Sequence, residues 1–126
     1  MSVLIVDDHK NIRKLLKEWL KEEFPYCGFY EAACAKEAID YCCESSPDLV
    51  IMDVNLPEID GIDATSRIKT IHPDTPVVIL TIHGDDVYRR AALKAGANGY
   101  VVKDRLHKDL VPLLSTLLHK QDPISC

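Results

Sequence analysis

The chain has 126 residues, a length that suits one domain and leaves little room for a second. Hydrophobic residues make up 47% and charged residues 28%, ordinary values for a globular protein that buries a core. The formal net charge is −5 and no basic patch stands out beyond Arg89-Arg90, which argues against a domain that binds DNA or RNA on its own.

The five cysteines are odd in number and contain no C-x-x-C spacing. This pattern suits neither a disulfide framework nor a zinc site, so we interpret them as free thiols in a reducing cytoplasm. The N-terminus reaches Asp7 after one short apolar run, unlike a signal peptide. No run approaches the ~20 apolar residues of a membrane-spanning helix, and we expect no membrane contact.

In the first half of the chain, short apolar runs alternate with helical periodicity. Val3–Val6 is a buried-strand pattern, and Lys10–Glu23 is an amphipathic helix closed by Pro25. A weaker strand, Phe29–Ala33, and a short helix, Ala35–Cys43, follow. These four segments predict two consecutive strand–helix units.

The second half repeats the alternation three times. The predicted strands are Leu49–Met52, Val77–Leu80 and Tyr100–Val102. The predicted helices are Ile62–Ile71, Asp85–Lys94 and Asp109–Leu118. Because proline is tolerated only in the first turn of a helix, Pro112 predicts a last helix that begins near Asp109 as N-cap or is kinked at Pro112.

Strands that alternate with helices of this length indicate βαβ units and a parallel sheet. Right-handed crossovers then place helices on both faces. The predicted fold is an α/β, doubly wound, five-stranded sandwich spanning residues 1–120. Residues 121–126 are interpreted as a C-terminal tail or the start of a linker.

Polar residues stand where the apolar strands stop. The residues in question are Asp7, Asp8, Asp53, Thr81 and Lys103. In an open parallel sheet the carboxyl ends of the strands share one edge, where ligands bind. The sequence therefore predicts three carboxylates, a hydroxyl and an ammonium group together at that edge.

Three carboxylates at one place repel each other unless a cation neutralises them, and oxygen ligands suit Mg²⁺. Neither a G-x-x-x-x-G-K-[ST] loop nor a G-x-G-x-x-G turn is present, so the site does not hold a nucleotide through backbone amides. A metal ion, an amine and a hydroxyl can together stabilise the charge on a phosphoryl group during its transfer, and a carboxylate can act as the nucleophile.

Each of these residues also has an ordinary interpretation. The acid pair Asp7-Asp8 is typical of residues that cap the start of a helix, and Asp53 is also typical of a cap or a turn. Lys103 is typical of a surface position. Tyr100 suits sheet packing. The histidines show no catalytic partner pattern and are interpreted as surface or capping residues: His9, His72, His83, His107 and His119.

Taken in order, the motifs resemble a response-regulator receiver domain. They are the acid pair after the first strand, the segment Asp53-Val-Asn-Leu-Pro-Glu-Ile-Asp-Gly61, Thr81 after the fourth strand, and Gly99-Tyr-Val-Val-Lys103. The resemblance covers Ser2 to about Lys120. It implies a flavodoxin-like sheet with strand order 2-1-3-4-5.

The resemblance also implies roles for the site residues. Asp53 is the phosphoacceptor, and Asp8, Asp53 and the backbone carbonyl of Asn55 bind Mg²⁺. Asp7 acts through a metal-bound water, and Lys103 pairs with the phosphoryl oxygens.

Two further residues form the switch that the resemblance implies. Thr81 moves to bond the phosphate and Tyr100 swings inward, which changes the loop and helix after Thr81. The implied partners are a sensor histidine kinase or phosphotransfer protein, with a homodimer on phosphorylation.

The chain departs from the family pattern at two places. Asp104 stands where most receivers have proline, so both a cis and a trans Lys103–Asp104 bond stay open. Ile82 is larger than the usual residue after Thr81, and we expect it to narrow access to the acyl phosphate and slow hydrolysis. The sequence resembles receivers attached to helix-turn-helix transcription factors, so the chain is either the N-terminal part of such a regulator or a stand-alone receiver.

Three other functions are considered. An aspartate-nucleophile phosphohydrolase normally has a second aspartate two residues after the nucleophile, whereas this chain has Asn55. A receiver that acts only as a protein-binding platform does not need an intact set of site residues, and a flavin-binding module needs a phosphate-binding first loop. The prediction is therefore a phosphorylated switch that is not a turnover enzyme.

Overall fold

A computed structural model describes residues 1–82 and 84–119 of the chain. Its strands are β1 (Ser2–Val6), β2 (Gly28–Ala32), β3 (Leu49–Asp53), β4 (Val77–Thr81) and β5 (Gly99–Val102). Its helices are α1 (Lys10–Glu23), α2 (Ala35–Glu44), α3 (Gly61–Ile71), α4 (Asp86–Lys94) and α5 (Leu106–His119), with a 3-10 turn at Lys103–Arg105. The predictions made for His83 and for residues 121–126 lie outside the described residues.

The strands form one parallel sheet in the order β2-β1-β3-β4-β5, which confirms the predicted fold and strand order. Every residue of β3 and β4 is buried, as expected for strands covered on both faces. One apolar core lies between the sheet and α1 and α5, and the other between the sheet and α2, α3 and α4. Within the described residues, no helix is long and apolar enough to span a membrane.

The last helix begins earlier than predicted. Leu106 opens α5 and packs against the core, so the expectation of a start near Asp109 with that residue as N-cap was wrong. Asp109 instead lies inside the helix, with its Oδ2 atom 3.0 Å from Nε of Arg105. Pro112 lies in mid-helix and is exposed, so water can reach the carbonyl group that proline leaves without a helical donor.

The turn after β3 brings α3 very close to the strand end. Asp60 caps α3 by accepting a hydrogen bond from the Asp63 N–H at 2.9 Å, and Glu58 adopts a φ of 67°. Gly61 is buried against the backbone of Asp53, where a Cβ atom would overlap the carbonyl group. This close approach holds the acidic strand end against the start of α3.

The peptide bond between Lys103 and Asp104 is trans, because the described residues contain no cis peptide. Of the two conformations that the sequence left open, the chain therefore adopts the trans one.

Candidate functional site

Four of the polar residues that follow the strands lie close together at the carboxyl edge of the sheet: Asp7, Asp8, Asp53 and Lys103. One ligand atom from each of Asp7, Asp8, His9 and Asp53 lies within 4.8 Å of all the others. Lys103 joins the group from the end of β5, with its Nζ atom 3.3 Å from Oδ2 of Asp53. The sheet therefore assembles a compact cluster of acids with one amine and one imidazole.

Asp53, like Asp7, is almost completely enclosed, with 2% of its surface exposed. Its Oδ1 atom accepts a hydrogen bond from the Asn55 N–H at 3.3 Å. Its Oδ2 atom has the Lys103 ammonium nearby but, among the described residues, no partner with hydrogen-bond geometry. Because a buried carboxylate oxygen is costly to leave unsatisfied, this atom is poised to bind an electrophile or a cation.

Burial raises the pKa of the Asp53 carboxyl above its ordinary value of 3.8. The Lys103 ammonium opposes this rise, whereas the neighbouring Asp7 carboxylate adds to it. The charged form of Asp53 is thus penalised by its surroundings, and a cation at the site would relieve that penalty.

Asp7 and Asp8 do not cap α1. The N-cap residue is His9, which makes no side-chain cap bond. Asp7 is buried and accepts a hydrogen bond from the His9 N–H at 2.8 Å, while the more exposed Asp8 faces the imidazole at 3.0 Å. Both acids therefore belong to the cluster and leave the helix start to the backbone.

Arg13 ties this loop to the edge of the sheet. One guanidinium nitrogen donates to the Asp7 carbonyl at 2.6 Å, and Nε donates to Glu31 of β2 at 2.8 Å. The Arg13 hydrogen bond is also the main reason that the pKa of Glu31 lies below its ordinary value. Sequence reasoning missed this clamp, because its three parts lie on different elements.

Thr81 and Tyr100, the predicted switch residues, are in contact. Thr81 is completely buried at the end of β4 and is hydrogen-bonded to the Tyr100 hydroxyl. Burial raises the pKa of Tyr100, and the bond to Thr81 works against that rise. The Arg89 guanidinium lies 5.2 Å from the centre of the Tyr100 ring, so the tyrosine links the site to α4.

The donor set fits a hard divalent cation. The carboxylates of Asp7, Asp8 and Asp53 supply oxygen ligands, and the buried Oδ2 atom of Asp53 lacks a hydrogen bond within the described part of the chain. Mg²⁺ prefers such oxygen ligands and is commonly held by one or two carboxylates plus a phosphate.

The remaining histidines within the described residues make structural contacts. His72 is bonded through Nε2 to the Cys42 carbonyl at 2.6 Å, and His107 packs edge-on against Trp19 at 5.3 Å between ring centres. The cysteines of the described residues are free thiols: Cys27, Cys34, Cys42 and Cys43.

A basic groove on α1 was not anticipated from the sequence. It has a volume of about 370 Å³ and is lined by Lys10, Lys14, Lys17 and Lys21 together with two glutamates. The helical spacing of these lysines aligns them on one side of α1, a larger basic surface than the Arg89-Arg90 pair.

Comparisons with known proteins show the family to which the chain is similar. The family model for the response regulator receiver domain matches residues 3–115. The chain is 39% identical to the chemotaxis protein CheY of Halobacterium salinarum, over 93% of this chain and 96% of that protein. It is 37% identical to the transcriptional regulatory protein YdfI of Bacillus subtilis, over 96% of this chain but 53% of that protein.

Solved structures show the same likeness. A two-component response regulator of the LuxR family from Aurantimonas sp. SI85-9A1 superposes with a TM-score of 0.85 at 32% identity, covering 94% of this chain and 85% of that one. A response regulator receiver domain protein from Clostridium thermocellum gives 0.86 at 30% identity, over 95% of each chain. The chain thus spans nearly all of some relatives and about half of several transcriptional regulators.

Proposed function

Because the chain belongs to the response regulator receiver domain family of two-component systems, we propose that it is a switch that accepts a phosphoryl group on Asp53. The donor is a phosphohistidine of a sensor kinase or phosphotransfer protein. The observation that carries the proposal is the buried Oδ2 atom of Asp53, which faces Lys103 at 3.3 Å and, among the described residues, has no hydrogen bond.

In the proposed reaction a carboxylate oxygen of Asp53 attacks phosphorus. An oxygen–phosphorus bond forms, the bond between phosphorus and the donor imidazole breaks, and that imidazole departs with the bond's electron pair. Lys103 pairs with the negatively charged phosphoryl oxygens while the phosphoryl group is transferred from the donor to Asp53. Such fixed positive charge is the main contribution that a protein makes to phosphoryl transfer.

Asp8, Asp53 and the backbone carbonyl of Asn55 would hold Mg²⁺, with Asp7 acting through a bound water. When bound, the cation neutralises the charge that gathers between the acids and the phosphoryl group. Asp7 is kept in place for this role by the His9 N–H on its carboxylate and by Arg13 on its carbonyl.

The proposed response passes through Thr81 and Tyr100. The new phosphate offers acceptor oxygens that compete with the Tyr100 hydroxyl for the Thr81 side chain. When Thr81 turns to the phosphate, Tyr100 loses its bond to Thr81 and swings inward, and Arg89 of α4, which lies over its ring, repacks with it. The loop and helix after Thr81 are thus biased between two arrangements.

The output is proposed in two forms. The chain covers about half of several transcriptional regulators, which favours a receiver, residues 1–120, that controls a DNA-binding domain in the cytoplasm and dimerises on phosphorylation. Its coverage of 96% of a chemotaxis protein favours a stand-alone receiver instead. In neither form is it a turnover enzyme, because Asn55 offers no carboxylic acid where a phosphohydrolase needs one.

Intact-mass spectrometry after incubation with acetyl phosphate tests the proposal. We expect one added phosphate that requires Mg²⁺ and disappears in Asp53→Asn. If no adduct forms, beryllofluoride replaces acetyl phosphate and Trp19 fluorescence is recorded. If no phosphate is added and Trp19 fluorescence does not change with beryllofluoride, the phosphorylation proposal is overturned, and the alternative that remains is a receiver that acts only as a protein-binding platform.

A further inference from the structure

One edge of the sheet lies between two helices that cover opposite faces. β2 is the strand at this edge, and it pairs with β1. On one face, Glu31 of β2 accepts a hydrogen bond from Arg13 of α1 at 2.8 Å. On the other face, the ring of Tyr30 packs against the ring of Tyr41 of α2, with 5.7 Å between their centres. α1 and α2 therefore both lie beside the β2 edge.

The side of α1 toward β2 carries the basic groove. Lys17, one of its lysines, lies 3.3 Å from Glu31 of β2, so the groove opens toward the strand. Within the described residues, the other three lysines of the groove have no ion pair: Lys10, Lys14 and Lys21. Their positive charges are therefore available to a partner.

α2 presents the opposite charge. Its exposed acids recur at helical spacing and form an acidic stripe: Glu37, Asp40 and Glu44. Glu37 accepts a hydrogen bond from the Ala33 N–H, and Asp40 has Lys36 at 3.3 Å. Because these three acids face a single lysine on α2, the exposed side of this helix is negative.

We propose that the β2 edge is the interface of a symmetric dimer of this chain, in which the basic groove of each copy faces the acidic stripe of the other. A two-fold axis parallel to the strands exchanges the two faces of the sheet, so α1 of one copy comes beside α2 of its partner. An axis perpendicular to the sheet would instead bring the two basic grooves together, where like charges repel. The segments Lys14–Lys21 and Glu37–Glu44 each rise by about 10.5 Å along their helices, so their end charges are equally spaced.

A second copy fits this surface because each chain carries both charges on opposite sides of one edge. Tyr30, which is 47% exposed between the two helices, supplies an aromatic centre with charged residues around it, the usual anatomy of an interface. Exposed ion pairs are individually weak, so the dimer is weak and depends on the charges of both helices. The inference goes beyond the proposed function, since the dimer forms without a phosphoryl group on Asp53.

Reversing the charge of one helix at a time tests this interface. The groove variant, Lys14→Glu with Lys21→Glu, makes both helices acidic at the edge. The stripe variant, Asp40→Lys with Glu44→Lys, makes both basic. We expect the parent to self-associate in sedimentation velocity between about 10 µM and about 1 mM, where weak complexes dissociate. Each variant should be monomeric alone, because like charges meet, whereas an equal mixture of the two should form a heterodimer.

The matched control is Lys94→Glu with Lys108→Glu, which changes the net charge as the groove variant does but on exposed lysines of α4 and α5. Mixed with the stripe variant, the control should associate at least about threefold more weakly than the groove variant, because half of its facing charges repel. Tyr30→Ala should weaken self-association of the parent at least about fivefold. Asp53→Asn should self-associate as the parent does, which separates this inference from phosphorylation.

Far-UV circular dichroism establishes that every variant is folded before its association is compared. A parent chain that stays monomeric up to about 1 mM would overturn the inference and assign the charged helices to other partners. It would also be overturned if the groove and stripe variants each self-associate as well as the parent. The same holds if their mixture associates no better than the mixture that contains the control.

Discussion

Gly61→Ala tests how closely α3 must approach the phosphoacceptor strand. A Cβ atom at this position would lie 2.8 Å from the Asp53 carbonyl carbon and 2.9 Å from the Val54 Cα atom. Carbon atoms in contact prefer about 3.5–4.0 Å, so the two backbone segments must separate by about 0.7 Å or more. Overpacking of this kind costs about 3 kcal/mol, and neither backbone segment can rotate aside as a flexible side chain would.

Urea unfolding followed by far-UV circular dichroism and Trp19 fluorescence measures that cost. The matched control is Gly84→Ala, where the nearest atom to the new Cβ, Cγ2 of Val102, lies at 3.6 Å, an ordinary contact. We expect the control to stay within about 0.5 kcal/mol of the parent. The same displacement moves Asp53, so phosphorylation by acetyl phosphate should slow at least about tenfold in Gly61→Ala. Unfolding of Gly61→Ala within 0.5 kcal/mol of the parent would refute the close-approach argument.

Three further predictions concern other parts of the fold. Ile82 is 63% exposed beside the site and should slow the hydrolysis of the phosphate on Asp53. In mass spectra, the phosphorylated species should therefore decay faster in Ile82→Ala than in the parent, and equal rates of decay would contradict this role. Burial raises the pKa of Cys42 from 9.0 to about 11. The protonated thiol therefore contributes its full stability to the fold below pH 9, and this contribution is lost as the pH rises toward 11, because the unfolded chain releases the proton first. The free energy of unfolding should therefore fall by about 2 kcal/mol more in the parent than in Cys42→Ala over that window, and peptide mapping at pH 8 should show iodoacetamide on exposed Cys43 before Cys42. Leu110→Ala, at a fully buried position of α5, should lower the free energy of unfolding by about 2–5 kcal/mol, and exposed Leu93→Ala by under about 0.5 kcal/mol; similar values for the two would contradict the assigned core.

Sequence reasoning located the elements well where the apolar period was strong. The bounds of α1, Lys10–Glu23, were predicted as observed. The observed strands β3 and β4 are each one residue longer than predicted, because each includes the polar residue at its carboxyl end. These segments bury regular stripes of apolar residues, so their periodicity records the fold directly. The start of α5 was predicted wrongly because Pro112 and Asp109 suggested a helix boundary. The half-buried Leu106 packs against the core, and the helix begins there, before both signals.

The candidate site was predictable in membership but not in its contacts. Asp53 and Lys103 were expected to meet because both follow parallel strands of one sheet, and they lie 3.3 Å apart. The sequence could not predict that the imidazole of His9 lies against the acids, because the direction of this side chain depends on the path of the backbone between β1 and α1. Its sequence context resembles that of any surface histidine.

The order of strands and helices, the parallel sheet and the polar residues at the strand ends were determined by the sequence alone. The elements and the strand-end residues are local properties, encoded in the spacing of apolar residues and the type of residue that interrupts them, and the parallel sheet was inferred from the alternation of strands with helices. Tertiary structure decided which side chains touch: Arg13 on the Asp7 carbonyl, Thr81 on Tyr100, and His9 against the acids. Such contacts depend on backbone paths and rotamers set by the packing of several elements at once, and no single segment of sequence encodes them.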